Sequence, residues 1–231
     1  ADIFKPLGLP SFRDAIDACE SVLRPLIGFS IRAVLSDPTA AGLPRFDRAD
    51  VVQPALFALA VGLAAAWRAL GIEPGAVVGH SQGEVAAAVV SGALSLEDGA
   101  RVVAARSRAV LRCSGRGAMA ALQCSREEAE RRILAYGDAL SIAAVNSADS
   151  IVLSGEESAL HALIAECSSE GIFCRRVKVD YASHSAQMDG ILPEIEAALA
   201  GITPRGGAIP FFSTVRGELT PGHQLDGVYW S

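Results

Sequence analysis

The pentapeptide Gly79-His80-Ser81-Gln82-Gly83 sets a serine between two glycines in a G-x-S-x-G pattern, the spacing that carries a nucleophilic hydroxyl on a sharp strand-to-helix turn. Such a turn lifts the Ser81 oxygen above the sheet edge, and the small residue at each end permits the strained turn and a close helix–strand approach. The helix start behind the serine aims backbone N–H groups at charge developing on a bound carbonyl, and the Gln82 amide is the natural oxyanion donor. A serine hydroxyl needs a base, and the chain offers four histidines. His80 flanks the serine and points elsewhere, which suits a core or hydrogen-bonded structural role. His161 falls mid-helix on a surface, and His223 sits in the solvated turn Thr220-Pro-Gly-His-Gln224. Elimination leaves His184, in Tyr181-Ala-Ser-His-Ser185, as the base. Asp180 and Asp189 lie close to it in sequence with nothing to orient them on the imidazole, so a backbone carbonyl or an amide can serve instead.

Arg106 is the second chemical signal. On a helix running from Ser95 to about Arg112, at about 100° per residue, Arg101, Arg108 and Arg112 share one solvated stripe. Arg106 lies opposite, flanked by Gly99, Val102, Val110 and Cys113. A guanidinium on an apolar face must be paired or it costs several kcal/mol. Two partners fit: a buried carboxylate of the chain itself, or the carboxylate of a substrate gripped in a bidentate clamp, for which Arg is better shaped than Lys. A water-using esterase has no need of that clamp.

The elements that must position these groups follow two styles. Asp50 is placed to cap an Ala-rich helix with Pro54 near its first turn, running to about Leu70 and stopping at Gly71. Gly75–Gly79 reads as a short, fully buried parallel strand, followed by the serine motif and a helix over Val85–Val90. Ser95 with Asp98 opens the next helix in capping-box style. From Gly115 the pattern changes: strand Ala118–Gln123, polar helix Arg126–Tyr136, strands Leu140–Val145 and Ile151–Ser154, helix Glu157–Ser169 and strand Phe173–Val179. That βαββαβ order is the ferredoxin-like arrangement, inserted into a larger α/β unit that resumes with a helix at Ile191–Leu199 and a strand at Ile209–Thr214. The expected division is a discontinuous α/β-hydrolase-like large subdomain, residues 1–114 and 181–231, around a ferredoxin-like small subdomain, residues 115–180.

Composition narrows the function classes. The chain has 231 residues, 51% hydrophobic and 6% aromatic, with 20 basic against 26 acidic residues and a net charge of −6. Neither an aromatic nucleic-acid platform nor a basic membrane-surface helix fits that balance. Five scattered cysteines without a Cys-x-x-Cys pair suggest reduced thiols in a cytoplasmic protein and no zinc site. The uncharged stretch Val51–Trp67 contains Pro54 and Gly62 and falls short of the ~20 apolar residues that span a bilayer, so a buried helix is expected.

Together these residues resemble the malonyl-type acyltransferase domains of type I polyketide and fatty-acid synthases, over essentially the whole chain. Gly79-His-Ser-Gln-Gly-Glu84 is similar to the family's nucleophile motif, Arg106 matches the position that grips the acyl carboxylate, and His184 matches the catalytic histidine. The resemblance implies a Ser–His pair with the imidazole held by a main-chain carbonyl, which fits the lack of an evident acid. Arg48-Ala-Asp-Val-Val-Gln53, Gln82 and Tyr181-Ala-Ser-His184 resemble the methylmalonyl-type signatures, and Ser183, where malonyl-type members usually carry Phe, leaves room for an α-methyl group. Gln53, Gln82, Tyr181 and Ser183 are therefore expected in the substrate site. The implied reaction moves methylmalonyl from methylmalonyl-CoA to Ser81 and on to the phosphopantetheine thiol of an acyl carrier protein, with no covalently bound cofactor and no metal. The implied neighbours are ketosynthase and linker domains of the same polypeptide, with no nucleic acid and no membrane. Family members open with a Gly-Gln-Gly strand and loop, and extend past Trp230-Ser231 with a segment that holds the histidine; the expectation is a chain truncated at both ends and incomplete as a catalyst. The alternatives are a malonyl-specific transferase, a serine esterase or thioesterase, and a non-catalytic scaffold that keeps the fold.

Overall fold

The computed structural model describes residues 9–231, so the first eight residues of the expected large subdomain lie outside it. The described chain forms two compact units, one of 9–109 with Pro193–Ser231 and one of Val110–Leu192.

In the first unit, helix α1 (Pro10–Ile27) starts on a proline and stops at Gly28, whose φ of 83° closes the helix in the left-handed region. A short helix α2 (Ile31–Ser36) is capped by the Ser30 hydroxyl, which accepts from the Ala33 N–H at 3.0 Å. Helix α3 (Ala49–Ala69) begins one residue before the expected cap. Asp50 lies inside its first turn, beside the positive end of the helix dipole, and takes two hydrogen bonds from Arg48 at 3.0 and 2.7 Å. Gly62 of α3 allows α1 to approach closely: a Cβ there would stand 2.8 Å from the Phe12 ring. By length and composition α3 could cross a membrane. It instead lays Val51, Ala55, Phe57 and Ala58 into the core of this unit and leaves Leu56, Leu63 and Trp67 exposed, so it is only partly the buried helix expected.

Strand β1 (Val77–Val78) pairs in parallel with β6 (Phe211–Ser213), Val77 opposite Phe211, and β7 (Glu218–Leu219) adds an antiparallel strand on the far side of β6. The parallel pairing matches the apolar run, but the burial does not: Val78 is 64% exposed. β1 ends this three-stranded sheet and has no described neighbour on its outer side. Helix α4 (Gly83–Ser91) follows β1, and α5 (Leu96–Val110) opens with the Ser95 hydroxyl accepting from the Asp98 N–H at 3.0 Å. The unit closes with α8 (Leu192–Leu199) and the single turn α9 (Gly227–Trp230), capped by Asp226.

The second unit runs β2 (Ala118–Leu122), α6 (Arg126–Ile133), β3 (Leu140–Ser147), β4 (Ser150–Gly155), α7 (Glu157–Ser169) and β5 (Cys174–Arg176). Its sheet is antiparallel in the order β3-β4-β2-β5. Leu122, Ile151, Leu153, Leu160 and Leu163 form its core. The unit extends beyond the 115–180 expected from the sequence. The reason is local: the returning segment folds back on its own entry. The Gly115 N–H donates to the Asp180 carbonyl at 2.7 Å, and a Cβ on Gly117 would meet the Ala182 methyl at 2.6 Å. Tyr181, Ser183 and His184 therefore belong to this unit and not to the larger one.

Candidate active site

The chain turns sharply between β1 and α4. The Gly83 N–H reaches the His80 carbonyl at 2.9 Å, and the Glu84 N–H reaches the Ser81 carbonyl at 3.0 Å, closing the turn onto the helix. Ser81 at its apex has φ 52°, a conformation costly to any residue with a Cβ and common where function demands it. The two glycines of the motif play unequal parts. A Cβ on Gly79 would lie 2.2 Å from the Gly83 carbonyl carbon and 2.3 Å from the Glu84 nitrogen, so only glycine fits. A Cβ on Gly83 would meet nothing within 4 Å. Contrary to the symmetric reading of the motif, the first glycine alone is dictated by packing. His80 is exposed, which excludes the core role expected as one of its two alternatives.

Gln82 is the N-cap of α4, with helical φ/ψ of −63° and −13°. Its side-chain amide donates to the Gln53 carbonyl at 3.0 Å, so the structure brings Gln53 and Gln82 together. The Gln82 Oε1 atom is buried without a hydrogen-bond partner among the described residues. No acceptor among the described residues takes the Gln82 backbone N–H, which leaves it available at the helix start.

Arg106 occupies the inner face of α5, as its neighbours predicted: Val102, Val110 and Cys113 are buried, and a Cβ on Gly99 would collide with Val89 and Phe57. Among the described residues no Asp or Glu side chain forms an ion pair with it. Its Nη1 donates to the Trp230 carbonyl and to a main-chain oxygen of Ser231, the last residue, the latter at 3.1 Å. Burial lowers the Arg106 pKa, and the negative charge of Glu84 opposes that shift. The opposite stripe is less simply solvated than expected: Arg101 donates to the Ala198 carbonyl and Arg108 to the Leu26 carbonyl, each near a helix C-terminus.

Three residues to which the sequence alone assigned no role, Glu84, Thr214 and Tyr229, complete this region. Glu84, three positions after the serine, is only 2% exposed. It accepts from the Tyr229 hydroxyl at 2.5 Å and from the Thr214 hydroxyl at 2.8 Å, and the Thr214 hydroxyl also lies 3.1 Å from the Gly79 carbonyl. Burial first, and the bond to Glu84 second, push the Tyr229 phenol well above its ordinary range. The sequence signals for Glu84 were its place at the end of the Gly79–Glu84 motif and a carboxylate in the first turn of an otherwise Ala/Val helix.

In the other unit His184 stands in an exposed turn with φ 59°. Ser81 and His184 are the two non-glycine residues with positive φ among the described residues. The turn is braced by Ser185, whose hydroxyl donates to the Ala182 carbonyl at 2.8 Å and accepts from the Gln187 N–H at 3.3 Å. Tyr181 and Ser183 flank it, both half-buried. The Asp180 carboxylate accepts from the Ser114 hydroxyl, which draws it toward the strand entry.

A family model described as an acyl transferase domain matches residues 7–231. The chain belongs to that family. The acyltransferase domain is 53% identical over 220 residues to the spectinabilin polyketide synthase system protein NorC of Streptomyces orinoci, covering 95% of this chain and 10% of that protein. Among solved structures, the acyltransferase domain from module 8 of the salinomycin polyketide synthase matches with a TM-score of 0.93 and 47% identity, over 96% of this chain and 52% of that one. The malonyl CoA-acyl carrier protein transacylase of Coxiella burnetii matches at 25% identity and a TM-score of 0.84, over 94% of this chain and 70% of that one. The acyltransferase domain thus spans about a tenth of the polyketide synthase protein it matches and about half of the solved polyketide synthase chain. Its fold is the mixed α/β fold of polyketide synthase acyltransferases.

Proposed function

We propose that this domain is a ping-pong acyltransferase that selects a methylmalonyl extender unit and hands it to a carrier protein. The observation that carries the reading lies in one unit: a serine in a strained turn at a helix start, together with a half-buried guanidinium that pairs with no Asp or Glu side chain among the described residues. His184 takes the Ser81 proton as the hydroxyl oxygen attacks the thioester carbonyl of methylmalonyl-CoA. The Gln82 N–H stabilises the oxyanion, and Arg106 pairs with the free carboxylate. The carbon–sulfur bond breaks, and CoA leaves as the thiol with the proton from the imidazolium. His184 then deprotonates the phosphopantetheine thiol, whose sulfur attacks the acyl ester; the carbon–oxygen bond breaks, and Ser81 leaves with the proton returned by the imidazolium.

Gln53, Gln82, Tyr181 and Ser183 form the specificity set in this reading. The small Ser183 side chain admits the α-methyl group, a difference worth only ~1–3 kcal/mol, so malonyl is disfavoured but not barred. The strand order β3-β4-β2-β5 of the second unit supports the ferredoxin-like assignment, and the elbow supports the hydrolase-like one for the first. The partners are methylmalonyl-CoA, an acyl carrier protein, and flanking ketosynthase and linker domains, in the cytoplasm. The test is covalent labelling by methylmalonyl-CoA: mass spectrometry of the labelled protein is expected to place the acyl group on Ser81, and Ser81→Ala to abolish it. Labelling that survives in Ser81→Ala refutes the reading; thioester hydrolysis without transfer to a carrier protein favours the esterase alternative.

A further inference from the structure

Glu84 is a buried carboxylate to which the transfer steps assign no role. Its partners show what it holds. The Tyr229 hydroxyl donates to Glu84 at 2.5 Å and lies 2.6 Å from the Ser213 hydroxyl, which fixes the Tyr229 ring between the elbow helix α4 and strand β6. The next residue is Trp230, whose carbonyl takes the Arg106 Nη1. Trp230 is itself fixed, its indole N–H donating to the Leu225 carbonyl at 2.8 Å and its ring packed edge-on against Tyr229 with centroids 4.8 Å apart. The carbonyl that orients Arg106 is thus one peptide away from a side chain pinned by Glu84.

We infer that Glu84 is a positioning residue for the substrate-carboxylate grip: through Tyr229 it fixes the last helical turn, whose Trp230 carbonyl holds the Arg106 guanidinium in place. The inference rests on the reading of Arg106 as the carboxylate partner. The same carboxylate reaches Thr214 and, through the Thr214 hydroxyl, the Gly79 carbonyl at the base of the elbow, so one buried group ties the nucleophile's turn to the guanidinium. Its negative charge also favours the charged guanidinium, which burial disfavours.

The test compares methylmalonyl-CoA with propionyl-CoA, the same thioester without the carboxylate, in the full-length protein. Tyr229→Phe removes the hydroxyl tie alone, and is expected to raise KM for methylmalonyl-CoA about tenfold, the order of one charge-assisted hydrogen bond, while kcat/KM for propionyl-CoA stays within about twofold. Glu84→Ala is expected to lose at least as much discrimination. Glu84→Gln retains an acceptor for Thr214 and an N–H for the Tyr229 oxygen, and is expected to fall between Glu84→Ala and the parent. Equal losses on both thioesters, or an unchanged ratio in Tyr229→Phe, overturn the inference and leave Glu84 a fold residue. Arg106→Ala serves as the reference: if it too lowers both thioesters equally, the carboxylate grip itself is wrong.

Discussion

Replacing Gly79 by alanine tests the elbow most directly, because the structure fixes both the size of the effect and its place. The added Cβ would stand 2.2 Å from the Gly83 carbonyl carbon and 2.3 Å from the Glu84 nitrogen, about 1.2 Å inside ordinary contact. The obstruction is backbone on both counts, so no rotamer change relieves it. Either β1 or the start of α4 must move by about an ångström. Overpacking of this kind costs about 1–3 kcal/mol, and a backbone obstruction belongs at the upper end. At about 2–4 °C per kcal/mol for a chain of this size, Tm is expected to fall by about 6–12 °C. The catalytic loss is larger in proportion, since about 1 Å of misplacement of a reacting group is worth about 100-fold. Gly83→Ala is the control, with nothing within 4 Å of its Cβ and no positive φ at that position. It sits in a helical first turn, where alanine is favoured by about 0.5–1 kcal/mol, so stability is expected to hold or rise. Thermal melts and single-turnover acylation by methylmalonyl-CoA read the two effects. Full activity in Gly79→Ala, or equal destabilisation by the two alanines, refutes the argument that the first glycine shapes the nucleophile's turn.

Ser183→Phe is expected to shift acylation from methylmalonyl-CoA toward malonyl-CoA by about 5–150-fold, the worth of one methyl group in a filled pocket, read by competition between the two thioesters. Burial pushes the Cys19 thiol up to about 12. At pH 8 it therefore stays protonated in the folded protein, and iodoacetamide is expected to modify it only after denaturation, as peptide mass mapping would show.

Much of the fold was legible because its pattern is local. The helix over Glu157–Ser169 was read to the residue, and Ala118–Leu122 and Leu140–Ser147 were found to within two residues at either end. What failed was set by distant contacts. Val78 looked like an interior strand residue, but interior status depends on which strands lie alongside, and β1 has one described neighbour. The extent of the second compact unit depends on such contacts too, since nothing in the sequence from Asp180 to Gln187 announces that Asp180 bonds Gly115 or that Ala182 and Gln187 pack on Gly117. In the site, the serine and the inward-facing Arg106 were readable from a motif and a helical angle. Trp230 and Tyr229, over a hundred residues further on, were not, since no periodicity links a terminal turn to the helix it closes.

The two left-handed residues, Ser81 and His184, share a device that gives the last prediction. Each such conformation costs about 1–3 kcal/mol and persists only where its surroundings leave no alternative. At Ser81 the constraint is Gly79, closed against the start of α4. At His184 it is Gly117, where a Cβ would stand 2.6 Å from the Ala182 methyl, 2.9 Å from the Ala182 nitrogen and 2.7 Å from Gln187 Oε1. The Gln187 amide is the end of a flexible side chain and can withdraw. Ala182 cannot, being fully buried and two residues before His184. Gly117→Ala must therefore shift the segment that carries the histidine and leave the serine's own unit untouched. Acylation by methylmalonyl-CoA is expected to fall about 10–100-fold, the general-base contribution degraded by misplacement. A small fluorophosphonate, which phosphonylates serine with loss of fluoride and needs no acyl pocket, is expected to show the same fall, because it too relies on the imidazole to take the proton. Tm is expected to drop by only about 2–6 °C, for a clash partly relieved by Gln187. If Gly117→Ala melts lower yet acylates at the parent rate, His184 is not held in place by this contact, and its strained backbone requires another cause.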